Sequence, residues 1–361
     1  MSELPEFPKG FTPEFLTSAL STGLLAEGER VVNVTQSVLG EGTGMMAEIA
    51  KLELTYEGGS GASPNYIVAK FSSQNPTNRE VALLYNLYER ETRYCTELDP
   101  LTEACTPDIY YTGLEGENFV ILMQDLTDYE VGSQVVGATL VQTELAIDEL
   151  AKLHASFWEG VSKFTWVPGI AHSYHADNML NLATMGWDTM VETFGDFIPD
   201  HIRQHKEKFL QAIPALQNER FKGPITLSHG DFRMENLLYG VKPDHHPVAI
   251  IDWQGPLQAR GMFDVALFLG QSTKTEVRQQ SERELLKRYV EGLSSRGVPD
   301  VNVNDTWEDY RRCMLYDWVY TAVVAGTLDT TNEIGFRWMS QMVARQVAAS
   351  DDLDVFSLMP Q

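Results

Sequence analysis

The sequence is poor in cysteine, in basic residues and in long apolar runs. Its three cysteines, Cys95, Cys105 and Cys313, are an odd set without CxxC spacing, which argues against a disulfide framework and against a zinc site. Only 27 basic residues stand against 51 acidic ones, for a net charge of −24. With no cluster of Lys or Arg, such a chain repels a phosphate backbone, and nucleic acid is not an expected partner. The acidic excess suits solubility, and it also suits a cationic small substrate. No stretch nears the roughly 18 uninterrupted apolar residues of a membrane span; WVYTAVVAG at 318–326 is far too short. No membrane partner is expected. The opening MSELPEFPKG has acidic residues and prolines where a secretory leader has a basic start and an apolar centre, so the expected location is cytoplasmic. Internal repeats and low-complexity tracts are also lacking.

What is present is enough apolar material, 43% of 361 residues, for one large or two medium domains. A short helix is expected over 11–20, with Thr12 as N-cap and Pro13 at the first helical position. Residues 31–39 read as a strand, and 45–56 as a returning strand, although MMAEIAKLEL also fits an amphipathic helix. YIVAKF at 66–71 reads as a buried strand and REVALLYNLYERE at 79–91 as a helix. Two further strands are expected near 108–111 and 118–123, the second running into QDLTD. The domain boundary is placed there, giving 1–123 and 124–361. Beyond it, 141–158 carries an apolar helical stripe that includes His154, 163–220 is helical and interrupted by Pro168, Pro199 and Pro214, and helices dominate from 275 onward.

The chemistry is concentrated in LSHGDFRMENLLYG at 227–240, followed by the apolar VAII and then DWQ. An HxD, an Asn about five residues later and an apolar strand ending in Asp form the pattern of a catalytic loop for phosphoryl transfer. In that pattern Asp231 orients and deprotonates an acceptor hydroxyl. Asn236 and Asp252 supply hard oxygen ligands to magnesium, and His229 braces the loop. Asp264, in GMFDVALFL, is placed to fix the loop geometry; a plain acid at a helix N-terminus is the competing reading. Lys70 ends an apolar strand, and Glu80, about ten residues on, opens the next helix. A strand lysine paired to a helix glutamate directs a cation at the α- and β-phosphates of a nucleotide. Gly40, Gly42 and Gly44 lie between two strand candidates, where missing β-carbons let backbone amides approach phosphates. An ordinary hairpin turn uses the same residues, and the run lacks the GxGxxG of a dinucleotide fold. His245 and His246, in KPDHHP, read as a solvated turn.

Together these segments resemble the aminoglycoside phosphotransferase and choline-kinase-like superfamily, in particular its ecdysteroid-kinase-like branch. The resemblance is carried by VAK ending at Lys70, REVALLY with Glu80, QDL with Gln124 and Asp125, LAKLHASFW from Leu150, HGDFRMEN, IIDWQ and DVALFL. It implies an α+β, two-lobed protein-kinase-like fold, with ATP held between a β-rich N-lobe at 1–123 and a helical C-lobe at 124–361. It further implies Lys70, Glu80, Gln124 and Asp125 on the nucleotide, ATP and Mg2+ as cofactors, and a small hydroxylated molecule as acceptor. GEGTGMM departs from the usual glycine loop, and RGMF at 260–263 departs from the usual approach to the aspartate matching Asp264; neither departure falls on a catalytic group. The segment after Asp252 lacks an activation loop with an APE-like element, so a peptide acceptor is not expected.

The acceptor stays open among steroid-like alcohols, sugars, amino alcohols and aminoglycosides. Trp166, Tyr174, Trp187, Phe194 and Phe197, with Tyr316, Asp317, Trp318 and Tyr320, would line an apolar or cation-accepting pocket or else form ordinary core. Two other classes compete: a catalytically silent nucleotide-binding protein of the same fold, and a metal hydrolase using His229, Asp231, His245 and His246, for which helical HxxxH spacing is missing. Oligomeric state has no sequence signature.

Overall fold

The computed structural model describes residues 4–39, 46–59 and 61–360. It divides into two compact units, one of Met1–Leu101, Thr106–Glu130 and Ile250–Gly255, the other of Thr102–Cys105, Val131–Ala249 and Pro256–Gln361.

The first unit opens with α1 (Pro13–Leu20), started by the Thr12 hydroxyl, which accepts the Phe15 N–H, and by Pro13, whose missing N–H loses nothing there. An antiparallel sheet follows, built from β1 (Arg30–Leu39), β2 (Ala47–Glu57), β3 (Tyr66–Ser72), β4 (Ile109–Glu115) and β5 (Asn118–Gln124) in the order β1-β2-β3-β5-β4. The ambiguous segment is therefore strand from Ala47 onward. Its partners on β1 and β3 decide this, because pairing places Ala50, Leu52 and Leu54 together on the buried face. In β3 the two-residue period sends Ile67, Ala69 and Phe71 into the core against Leu16, Leu20 and Phe11. Val68 and Lys70 go to the opposite face.

The predicted helix over 79–91 is two helices, α2 (Pro76–Leu84) and α3 (Leu87–Arg93). Asn86 sits in the left-handed region at φ 54° and starts α3 in a new direction. Asparagine tolerates that region better than most residues, and a single such residue ends a run whose apolar spacing is otherwise continuous.

The second unit contains α4 (Leu140–Phe157), α5 (Tyr174–Phe194), α6 (Asp200–Arg203), α7 (Lys206–Arg220) and the short strands β7 (Thr226–Ser228), β8 (Leu237–Tyr239) and β10 (Leu257–Ala259), while β6 (Glu130–Val131) and β9 (Val248–Ile250) fall at its border. It closes with α8 (Met262–Leu267), α9 (Thr275–Ser295), α10 (Val303–Thr327) and α11 (Glu333–Asp352). A capping box starts α4: Thr139 accepts from the Gln142 N–H and the Gln142 side chain accepts from the Thr139 N–H. Pro214 lies inside α7 and does not end it. The buried face of Phe209, Ala212, Ile213 and Leu216 outweighs the roughly 3 kcal/mol that an interior proline costs. Helices α5 and α10 cross at Gly186 and Gly326, where a β-carbon on either residue would strike backbone of the other helix. Among the described residues no helix is long and apolar enough to cross a membrane.

Candidate active site

The first unit holds a buried cation between two carboxylates. Lys70 Nζ donates to Glu91 Oε1 at 2.6 Å and to Asp252 Oδ1 at 2.8 Å, with both Lys70 and Glu91 buried. Burial alone lowers an ammonium pKa. Here the charges of Asp252 and Glu91 outweigh it, and Lys70 is held above its ordinary value. Burial pushes the Glu91 carboxyl up, against the pull of Lys70. An isolated ammonium at this depth would cost several kcal/mol, and the pair of acids removes that cost.

The partner of Lys70 is therefore Glu91 and not Glu80. Glu80 lies exposed on α2, whereas the break at Asn86 reorients α3 and brings Glu91 over β3. The sequence contained a signal for this. Eleven residues make just over three helical turns, so 80 and 91 share a face of an unbroken helix, and only the break separates them.

Asp252 reaches the cluster through an unusual backbone. Its φ of 67° is left-handed, which costs an aspartate about 1 kcal/mol and is tolerated where the surroundings fix it. The next residue, Trp253, stacks on Tyr94 with ring centres 3.8 Å apart and planes within 5°. This anchors the 250–255 segment within the first unit. Lys51 donates to Asp125 at 2.6 Å and to the Thr127 hydroxyl at 2.7 Å. Burial raises the Asp125 carboxyl, but Lys51 and Thr127 overcome it and hold the group below its usual range. Gln124 closes β5, its side-chain oxygen accepting the Asp108 N–H at 3.3 Å. Gly40, Gly42 and Gly44 fall outside the described residues.

In the second unit a fully buried carboxylate suspends the loop that follows β7. Asp264 accepts the Ser228 hydroxyl at 2.7 Å, the His229 N–H at 2.8 Å, the Gly230 N–H at 3.1 Å and a contact from His154 Nε2 at 3.2 Å. Burial opposes its charge, yet His154, His229 and Ser228 together hold Asp264 below the ordinary carboxylate range. Gly230 takes φ 82°, a conformation that suits glycine and lets two consecutive amides face one acid. His154 in turn meets the Tyr289 hydroxyl through Nδ1 at 2.7 Å. In sequence His154 is one member of an apolar stripe, and nothing local marks Tyr289.

The loop presents Asp231 with its side chain half exposed. The His229 Nδ1 accepts the Asp231 N–H at 3.3 Å. The Asn236 amide nitrogen donates to the Asp231 carbonyl at 2.8 Å and to Oδ2 at 3.1 Å. In that orientation the amide nitrogen of Asn236, and not its oxygen, faces Asp231. Asp252 in the first unit and Asn236 in the second each carry an oxygen of the kind magnesium takes. His245 and His246 lie in a turn, where His246 Nδ1 contacts the Val248 carbonyl at 2.9 Å. Among the described residues no group of three His, Cys, Asp or Glu is placed to hold a metal ion. Of the candidate pocket aromatics, Trp187, Phe194, Tyr316 and Trp318 are core, whereas Tyr174 and Phe197 are exposed.

The described architecture has counterparts among solved structures. The GDP complex of wild-type aminoglycoside 2'-phosphotransferase-IIIa aligns with 96% of this chain and 99% of its own at 12% identity and a TM-score of 0.51. A mutant of the same enzyme aligns with 90% of this chain and 94% of its own at 14% identity and 0.51. A microcompartment-associated aminopropanol kinase covers 89% and 93% at 14% identity and 0.46. The fold is α+β and protein-kinase-like, with a β-rich N-terminal lobe and a helical C-terminal lobe. The chain belongs to the ecdysteroid kinase-like family, whose model matches residues 41–296. Among curated protein sequences nothing matches.

Proposed function

We propose that the protein is an ATP- and magnesium-dependent phosphotransferase that moves the γ-phosphate to a hydroxyl of a small molecule. The observation that carries this reading is the loop hung from Asp264, which exposes one carboxylate, Asp231, and turns one amide oxygen, Asn236, away from it. Lys70 supports the reading, because a buried ammonium held by Glu91 beside Asp252 is suited to the α- and β-phosphates of a nucleotide. In the proposed reaction Asp231 orients the acceptor O–H and takes its proton. The acceptor oxygen forms a new bond to the γ-phosphorus, the bond from that phosphorus to the bridging oxygen breaks, and ADP leaves with the electron pair. Asp252 and Asn236 would hold magnesium, which supplies charge neutralisation on the phosphate oxygens. Asp125 and Gln124 remain candidate nucleotide contacts. An enzyme drawing on ATP is expected in the cytoplasm.

Thermal shift with ATP and magnesium, against magnesium alone, tests the reading in the wild type and in Asp252→Ala. A rise in melting temperature that the variant loses is the expected result. A screen of hydroxylated small molecules for ATP-dependent phosphorylation follows, with Asp231→Ala as the inactive control. Full turnover by Asp231→Ala and Asp252→Ala overturns the proposal. Binding without transfer to any acceptor would favour the silent nucleotide-binding alternative.

A further inference from the structure

Helix α11 lies beyond the family match, which ends at residue 296, yet one of its side chains, Trp338, meets the catalytic loop and another, Arg345, reaches it through Gln134. The guanidinium of Arg233, two residues after Asp231, sits over the Trp338 ring at 5.0 Å from its centre. The same group meets Asp231 Oδ2 at 3.2 Å through Nε and Glu235 Oε2 at 3.3 Å through Nη1. All three ion-pair partners are partly exposed. Such pairs alone hold a long arginine loosely, so a ring closing one face of the guanidinium adds the missing restraint.

Arg345 follows Trp338 by seven residues, two helical turns, and so falls on the same face. Its Nη1 donates to the Gln134 carbonyl at 2.5 Å and to the Gln271 carbonyl at 3.3 Å, and its Nη2 donates to the Val135 carbonyl at 3.2 Å. Gln134 passes this hold to the loop. Its N–H donates to Glu235 Oε1 at 2.9 Å, and its side-chain oxygen accepts the Met234 N–H at 3.4 Å and the Ser272 hydroxyl at 2.9 Å. Glu235 is therefore held from two sides, by Arg233 under Trp338 and by Gln134 under Arg345.

We infer that Trp338 and Arg345 are positioning residues for the catalytic loop, Trp338 by seating Arg233 between Asp231 and Glu235 and Arg345 by fixing Gln134 against Met234 and Glu235. The inference rests on the phosphotransferase reading for its kinetic consequence, but not for its geometric one. Asp231 Oδ2 then has a fixed cation on one side and the Asn236 amide on the other, which leaves Oδ1 as the face offered to an acceptor.

The test uses the full chain with ATP, magnesium and water as the phosphoryl acceptor. Trp338→Leu is expected to lower kcat for ATP hydrolysis about tenfold or more, with KM for ATP within about twofold, because a misplaced catalytic group affects the reacting geometry rather than nucleotide binding. Trp338→Phe, which restores a ring, is expected to recover activity to within about threefold of wild type. Arg233→Met combined with Trp338→Leu is expected to be no slower than Arg233→Met alone, since both remove one coupled interaction. Arg345→Met provides the second variant should Trp338→Leu fold poorly, with the same split between kcat and KM. A kcat within about twofold of wild type in a folded Trp338→Leu, or losses that multiply in the double variant, overturns the inference. Wild-type protein that neither hydrolyses ATP nor transfers phosphate to any hydroxylated acceptor counts against the phosphotransferase reading itself. The clamp is then read from the Arg233 Nε–H resonance in labelled protein: a ring-shifted signal lost in Trp338→Leu supports it, and a signal unchanged by that substitution refutes it.

Discussion

Asp317, in the middle of α10, is fully buried, and neither of its carboxylate oxygens has a hydrogen-bond partner. Burial drives its pKa well above the ordinary value of 3.8; Arg220 offsets this only in part, and the charge of Asp264 adds to it. The folded protein therefore keeps a proton on Asp317 that the unfolded chain has already released. Where the unfolded state binds fewer protons, stability falls as pH rises. The loss begins above the unfolded pKa and continues until the folded pKa is passed. Within that window each pH unit removes about 1.4 kcal/mol. Asp317→Asn removes the titration but keeps the shape, with an amide whose own unmet hydrogen bonds cost a pH-independent ~1–3 kcal/mol. The expected outcome is that the variant starts less stable than or equal to wild type at acid pH and gains on it steadily as pH rises. Urea unfolding of both proteins between about pH 5 and about pH 8 measures this, and other ionisable groups cancel in the difference. A stability difference that stays flat across that range would refute the reasoning, since it would mean that Asp317 is either ionised and compensated or equally protonated in both states.

Glu91→Gln is expected to weaken the thermal shift given by ATP and magnesium, while Glu80→Gln leaves it within error, because of these two glutamates it is Glu91 that pairs with Lys70. Asp264→Asn is expected to lower unfolding stability by about 3 kcal/mol or more and to abolish phosphoryl transfer, since a neutral amide cannot accept from Ser228, His229 and Gly230 at once; urea unfolding and the transfer assay read the two effects. Gly326→Ala is expected to lower stability by about 1–3 kcal/mol through the α5–α10 crossing, measured by the same unfolding experiment. Asp231→Ala is expected to keep the wild-type melting temperature to within a few degrees, because its side chain is half exposed and no core packing is lost.

The parts of the fold legible in the sequence are those specified locally. Thr12 and Pro13 start α1, the alternation in YIVAKF sends Lys70 to the face opposite the core, and HGDFRMEN fixes a loop whose glycine takes a positive φ. The identity of β2 required its neighbours, since MMAEIAKLEL carries both periods and only pairing with β1 and β3 selects one. The Lys70 partner was misplaced for a related reason. The apolar spacing runs through Tyr85 and Asn86 without interruption, and the break depends on one residue's left-handed backbone. Tyr289, Trp338 and Arg345 were invisible because their partners lie between 74 and 211 positions away in the chain, where no local pattern reaches.

Two aspartates show how far local sequence can go. MFDVAL around Asp264 and MLYDWVY around Asp317 are alike as strings: one acid in an apolar helical run, which a sequence reading sorts by position alone. Both side chains are fully buried, so desolvation acts on both in the same direction, towards the neutral acid. Their opposite outcomes come from the donors each one meets. Asp264 faces a hydroxyl, two backbone amides and an imidazole, and the sum overcomes burial and keeps the group charged. Asp317 faces none, and burial prevails. A charged acid can hold a loop whose amides need an acceptor; a neutral one cannot draw two amides to itself with comparable strength. The capacity of Asp264 to organise the loop therefore depends on Ser228, His229, Gly230 and His154 as much as on its own carboxylate. A substitution at His154 that removes the Nε2 contact should raise the Asp264 pKa and loosen the loop, although the altered residue never touches a substrate. His154→Phe tests this through the rate of amide exchange at His229 and Gly230: faster exchange is the expected result, and unchanged protection would mean that the two amides and Ser228 suffice without the imidazole.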